Sequence, residues 1–176
     1  MDKKSIGIYL IMKELGGFRV MSLEDRIFLQ KSIYLLQLLG INLGYRFSWY
    51  RLGPYTSDLT TTAFQIQANI DQYIERFAKA ALRKEVLESI DKLKHLLNKK
   101  PEKIEDHKWF ELLSSIHYLK HISTTDPATI TRSNISTKLM DAGKIGFDES
   151  HIALAWDCLH ELGLIDRKSL PKIKPT

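Results

Sequence analysis

The chain opens on a run in which nearly every position is apolar: Ile6, Ile8, Tyr9, Leu10, Ile11, Met12 and Leu15. A helix over Lys3 to Leu15 would have almost no polar stripe, so it is expected to be largely buried, with Gly16-Gly17 ending it. Ser22 then offers a side-chain oxygen to the first turn of a second helix, and Glu24 and Asp25 suit the positive end of its dipole. That helix runs through Ile27, Phe28, Leu29, Ile33, Tyr34, Leu36 and Leu39 and stops at Gly40. Two helices so rich in apolar positions predict a core built around them.

The pattern changes at Tyr45. Tyr45, Phe47 and Trp49 alternate with Arg46, Ser48 and Tyr50, which is the period of a strand rather than a helix. Gly53-Pro54 breaks the run, and Pro54 suits the entry to a helix continuing through Ser57, Leu59, Ala63, Phe64, Ile66 and Ile70 to Phe77. A clearly amphipathic helix follows over Leu82 to Leu97, then a polar loop from Asn98 to Asp106. The next helix, His107 to Ile122, presents Trp109, Leu112, Leu113, Ile116 and Leu119. The last third predicts helices over Thr131 to Ala142 and Asp148 to Leu162, then Gly163 and a short strand at Leu164-Ile165-Asp166. The fold class is mainly α: a compact helical domain with a small two- or three-stranded β element near residues 45–52 and a winged-helix-like reading of the C-terminal part.

A length of 176 residues suits one domain over 1–166, within which 123–166 reads as a winged-helix-like subdomain. Residues 167–176 form a basic tail expected to fray. No stretch approaches the roughly 18–20 continuous apolar residues of a membrane span. Lys13 and Glu14 interrupt the only leader-like segment, which lacks a small-residue cleavage site, so the expected location is cytoplasmic. The single cysteine, Cys158, falls in an apolar helical pattern and reads as a small buried group.

The formal net charge of +5 is unevenly spread. Residues 1–53 carry eight bases against four acids, whereas residues 54–75 carry three acids and no base. A mild basic excess permits nucleic-acid contact without demanding it. The C-terminal helix argues against a DNA reader: from Asp148 to Gly163 there is no Lys, Arg, Asn or Gln, and there are four acids. Such a helix lacks the donors that reach phosphates and base edges. Lys92, Lys94, Lys99, Lys100 and Lys103 keep nucleic-acid binding as the alternative.

Catalytic signatures are missing. His117 and His121 share a helical face at a spacing that can hold zinc, but no glutamate base lies between them and no further ligand is identifiable. No phosphate-cradling glycine loop and no nucleophile elbow are present. No cofactor and no metal are expected. An enzyme assembled from residues distant in sequence, such as a nuclease, is the last-ranked reading.

One stretch carries a resemblance. Leu29-Gln30-Lys31-Ser32-Ile33-Tyr34-Leu35-Leu36, followed by Phe47-Ser48-Trp49-Tyr50-Arg51-Leu52-Gly53-Pro54-Tyr55-Thr56-Ser57-Asp58-Leu59, resembles the bacterial and archaeal YwgA-type family. It is more distantly similar to the Panacea domain of SocA-like antitoxins. Both show a lysine- and tyrosine-bearing helix and then an aromatic segment that ends in Gly-Pro. After Gly-Pro the Panacea pattern continues with valine and small or apolar residues. Here it continues Tyr55-Thr56-Ser57-Asp58-Leu59, which favours the YwgA-type branch.

The resemblance implies a helical fold with a small β element and a protein-binding role, antitoxin-like or tied to an antiviral defence system. The partner-binding residues it suggests are Gln30, Lys31, Tyr34, Tyr50, Arg51, Gly53, Pro54 and Tyr55. Read from the residues alone, Phe47 and Trp49 suit the core, while Tyr50, Arg51 and Tyr55 suit core or interface equally. Lys31, on an otherwise apolar helix, must either snorkel or find an acid.

Overall fold

A computed structural model describes residues 2–144 and 146–165. It contains eight α-helices and one two-stranded sheet among those residues. The helices are α1 (Lys3–Glu14), α2 (Leu23–Leu38), α3 (Ser57–Ala68), α4 (Ile70–Phe77), α5 (Lys84–Asn98), α6 (Asp106–His121), α7 (Ile135–Asp141) and α8 (Glu149–Glu161). The strands β1 (Ser48–Tyr50) and β2 (Gly53–Tyr55) pair antiparallel, with Trp49 opposite Pro54. The mainly helical class with a small β element is therefore the observed one.

The helix starts follow from capping chemistry. Asp2 accepts the backbone N–H groups of Lys4 and Ser5 ahead of α1. Ser22 and Asp25 form a reciprocal capping box ahead of α2, the Asp25 carboxylate accepting from the Ser22 N–H at 3.1 Å. Asp148 caps α8 by accepting from His151 N–H at 2.9 Å.

Helices α2 and α6 form the most extensive helix pair, and both touch the β-hairpin. Helix α6 also packs against α7 and α8, α5 packs on α2, and α1 packs against α3 and α4. Helix α6 is thus the axis of the molecule: thirteen of its sixteen residues are buried. Ile135, Leu139, Ile152, Trp156 and Leu159 of the last two helices belong to the same core as Ile8, Leu29 and Ile33. Cys158 is buried with them.

Three expectations need correction. The helix expected from Pro54 to Phe77 begins at Ser57 instead, because Pro54 is spent in β2. It also breaks at Asn69, which lets Tyr73 on α4 turn inward and donate to Ser5 Oγ on α1 at 2.8 Å. The strand expected at Leu164–Asp166 does not form in its described part: Leu164 and Ile165 are a bend packed into the core, and Asp166 lies outside the described residues, as does the basic tail 167–176. No wing strand accompanies α7 and α8 among the described residues. Two acids of α8 are engaged within the fold, Asp157 with Arg132 in a two-point pair and Glu161 with Lys99. None of the described helices is long and apolar enough to cross a membrane.

Candidate functional site

The segment from Tyr45 to Thr56 is held by side chains of α2 at both ends. Gln30 and Gln37 stand seven residues apart, two helical turns, and so project from one face. Gln37 accepts from Tyr45 N–H and donates to Tyr45 C=O, both at 2.9 Å. Gln30 accepts from Thr56 N–H at 3.1 Å and donates to Thr56 C=O at 2.8 Å. Each glutamine amide reads a backbone amide as a neighbouring strand would. The two together satisfy main-chain groups that would otherwise be buried and unpaired.

Lysines hold the turn between these ends. Lys31 donates to Pro54 C=O at 2.6 Å, and Lys144 donates to Arg51 C=O at 2.9 Å. Lys144 also pairs with Glu111 at 2.8 Å, and the second oxygen of Glu111 lies 3.5 Å from Lys108. Lys31 is only 2 % exposed and has found both a carbonyl and, through the shared site, an acid's field. Burial, reinforced by Lys144 and partly offset by Glu111, lowers the Lys31 pKa to about 7. Burial also lowers the Lys144 pKa, against the pull of Glu111.

Gly53 is indispensable to this packing. Its φ is +87°, and a Cβ there would lie 2.6 Å from Ser115 Oγ and within 4 Å of both lysine Nζ atoms. Ser115 Oγ is itself buried without a hydrogen-bond partner among the described residues.

The inner face of the hairpin is aromatic. Phe47 meets Tyr34 edge-on at 5.1 Å between ring centroids, and Trp49 lies 5.5 Å from Tyr118. The Tyr34 hydroxyl is 2.7 Å from His117 Nδ1. Burial raises the Tyr34 pKa well above its usual value and lowers that of His117 to about 3, so both stay neutral. With its Nδ1 committed to Tyr34 and the ring wholly buried, His117 is a packed core side chain.

Of the eight residues expected to bind a partner, Gln30, Lys31, Tyr34, Gly53 and Pro54 are buried and work as scaffold. Tyr50 and Arg51 are exposed and Tyr55 is half-buried. The burial alternates along the segment: Tyr45 is buried and Phe47 and Trp49 half-buried, while Arg46, Ser48 and Tyr50 are exposed. Tyr50 and Tyr55 lie side by side on the outer face, 5.5 Å between centroids, and Tyr55 Oη accepts from Thr60 Oγ1 on α3.

Sequence reasoning missed Gln37, Glu111, Ser115 and Lys144. Gln37 was detectable as the second glutamine on the Gln30 face. Lys144 was not, since it lies 93 residues beyond the carbonyl it binds.

Two surface grooves lie elsewhere. One includes Met12, Phe28, Glu24 and Asp106 in its lining, the other Lys120, Arg132, Trp156 and His160, and hairpin residues line neither. No protein-family model, curated protein or solved structure matches the chain.

Proposed function

We propose that this chain is a protein-binding module that acts by contact, through the outer face of the Tyr45–Thr56 hairpin. In this reading it belongs with the antitoxin-like or defence-associated proteins that the YwgA-type and Panacea resemblance suggests. One observation carries it: three buried side chains, Gln30, Lys31 and Lys144, and the half-buried Gln37 fix the hairpin backbone, yet Tyr50 at its tip is 57 % exposed. Holding a large aromatic side chain out of the core on a rigid mount lowers the entropy lost on binding. Tyrosine and arginine, the residues presented here, are also the types enriched at binding hot spots.

The test is co-expression with the toxic or defence genes neighbouring it in its native host. Relief of toxicity with recovery of a stoichiometric complex is expected, and Tyr50→Ala is expected to lose both. Failure with every neighbour would remove the reading.

A further inference from the structure

We infer that the outer face of the hairpin takes an acidic segment of a protein partner, a statement that rests on the docking reading above and names the partner's chemistry. The exposed residues of the segment are Arg46, Ser48, Tyr50 and Arg51, with Tyr55 beside them, so its charge is wholly basic. Neither guanidinium makes an ion pair among the described residues, and Arg132, which grips Asp157 with two bonds at 3.0 and 2.8 Å, shows the two-point contact that each could offer a carboxylate. Beneath the turn, Lys31 and Lys144 donate to the carbonyls of Pro54 and Arg51, and Lys144 is paired with Glu111. A carboxylate arriving at Arg46 or Arg51 gains a charge-assisted, two-point contact. Tyr50 and Tyr55, side by side on the outer face, supply apolar area for a side chain flanked by acids.

The same surface suits a nucleic acid poorly. From Pro54 to Glu75 the chain has no base, and Asp58, Asp71 and Glu75 are all exposed on α3 and α4. A strand of phosphates leaving the hairpin along that side would meet only like charge, whereas a short acidic peptide segment ends before it.

The experiment is a nuclear magnetic resonance titration of the full chain with three probes. These are a short peptide rich in Asp and Glu with one Leu and one Phe, the same peptide with Asn and Gln in place of the acids, and oligothymidylate. The acidic peptide is expected to shift the resonances of Arg46, Tyr50, Arg51 and Tyr55, with affinity falling as salt rises. Arg46→Glu and Arg51→Glu should each weaken it by about ten-fold or more, the worth of a charge-assisted contact. Both side chains are exposed and Lys144 binds only the Arg51 carbonyl, so the fold is expected to survive, and Arg46→Gln gives a milder check of the same sign.

Equal binding of the Asn/Gln peptide would overturn the acidic partner while leaving the docking reading intact. Tighter binding of oligothymidylate would overturn it in favour of a nucleic acid. No shift with any probe would also overturn it, and the docking reading would then be judged on the toxicity assay alone.

Discussion

Helices α5 and α6 follow one another in the chain and are nearly equal in length, yet α5 buries four residues of fifteen and α6 thirteen of sixteen. Both mix apolar positions with charged and polar ones. In α5 no charged residue is buried, and Lys84 and Glu88, paired at 3.7 Å, are both largely exposed. In α6 the polar residues are inside, and the charged ones find partners although Ser115 Oγ and His117 Nε2 find none among the described residues. Glu111 is answered by Lys144 and Lys108, and His117 by Tyr34; Lys120 donates to the carbonyls of Ile130 and Pro127. Trp109, on the apolar side, donates its indole N–H to Leu96 C=O of α5 at 2.8 Å. A surface helix can be understood from its own sequence, whereas a central helix can be understood only with its neighbours.

The contrast is sharpest at Glu111. Glu111→Ala leaves Lys144 buried with no anion, so we expect a loss of roughly 3 to 5 kcal/mol in urea unfolding. A loss comparable to that of a surface residue would mean that the buried pair is not formed.

Next comes the pH response of Lys31. Its folded pKa is about 7, against an ordinary value of 10.5 in the unfolded chain. Between those values the unfolded state holds a proton that the folded state lacks, so stability rises with pH across that window. Below the window both states are protonated, and burial of the charge is felt in full. Relative to Lys31→Met, the wild-type chain should gain about 2 kcal/mol between pH 7 and pH 9. Parallel stability curves for the two proteins would show that Lys31 keeps its proton in the fold.

Gly53→Ala combines a left-handed backbone with a contact to Ser115 Oγ, and a loss of about 1 to 2 kcal/mol is expected from the backbone alone. Ser115→Ala, which removes an unpaired buried hydroxyl, should be near neutral by itself. In the Gly53→Ala background it should recover the steric part only, measured as non-additivity in a double-mutant cycle. Strict additivity would place the turn away from α6.

The smallest effect belongs to α5, where Glu88→Ala should change stability by no more than about 0.5 kcal/mol. A larger change there would erase the distinction between the two helices.

Much of this architecture was legible along the chain. Ser22 ahead of Glu24 and Asp25 announced the start of α2, because capping is settled within one helical turn. The alternation from Tyr45 to Tyr50 announced which side of the segment meets the core, because strand side chains must alternate. What misled the reading was also physical. Pro54 is compatible both with the first turn of a helix and with a strand facing no inner partner N–H, and local preference does not choose between them. The Gln30, Lys31 and Tyr34 run carries the resemblance and suggests a surface, yet these residues bind the hairpin's own backbone and the core.

The amino-acid sequence by itself therefore determined most of the helices, the Ser22 cap of α2 and the alternation of the aromatic segment, because these depend on neighbours within about four residues. Only the tertiary structure decided which polar side chains go inside. Burying Lys31, Glu111 or His117 is tolerable only where a carbonyl, an opposite charge or a hydroxyl arrives from a distant part of the chain. No spacing rule encodes that arrival.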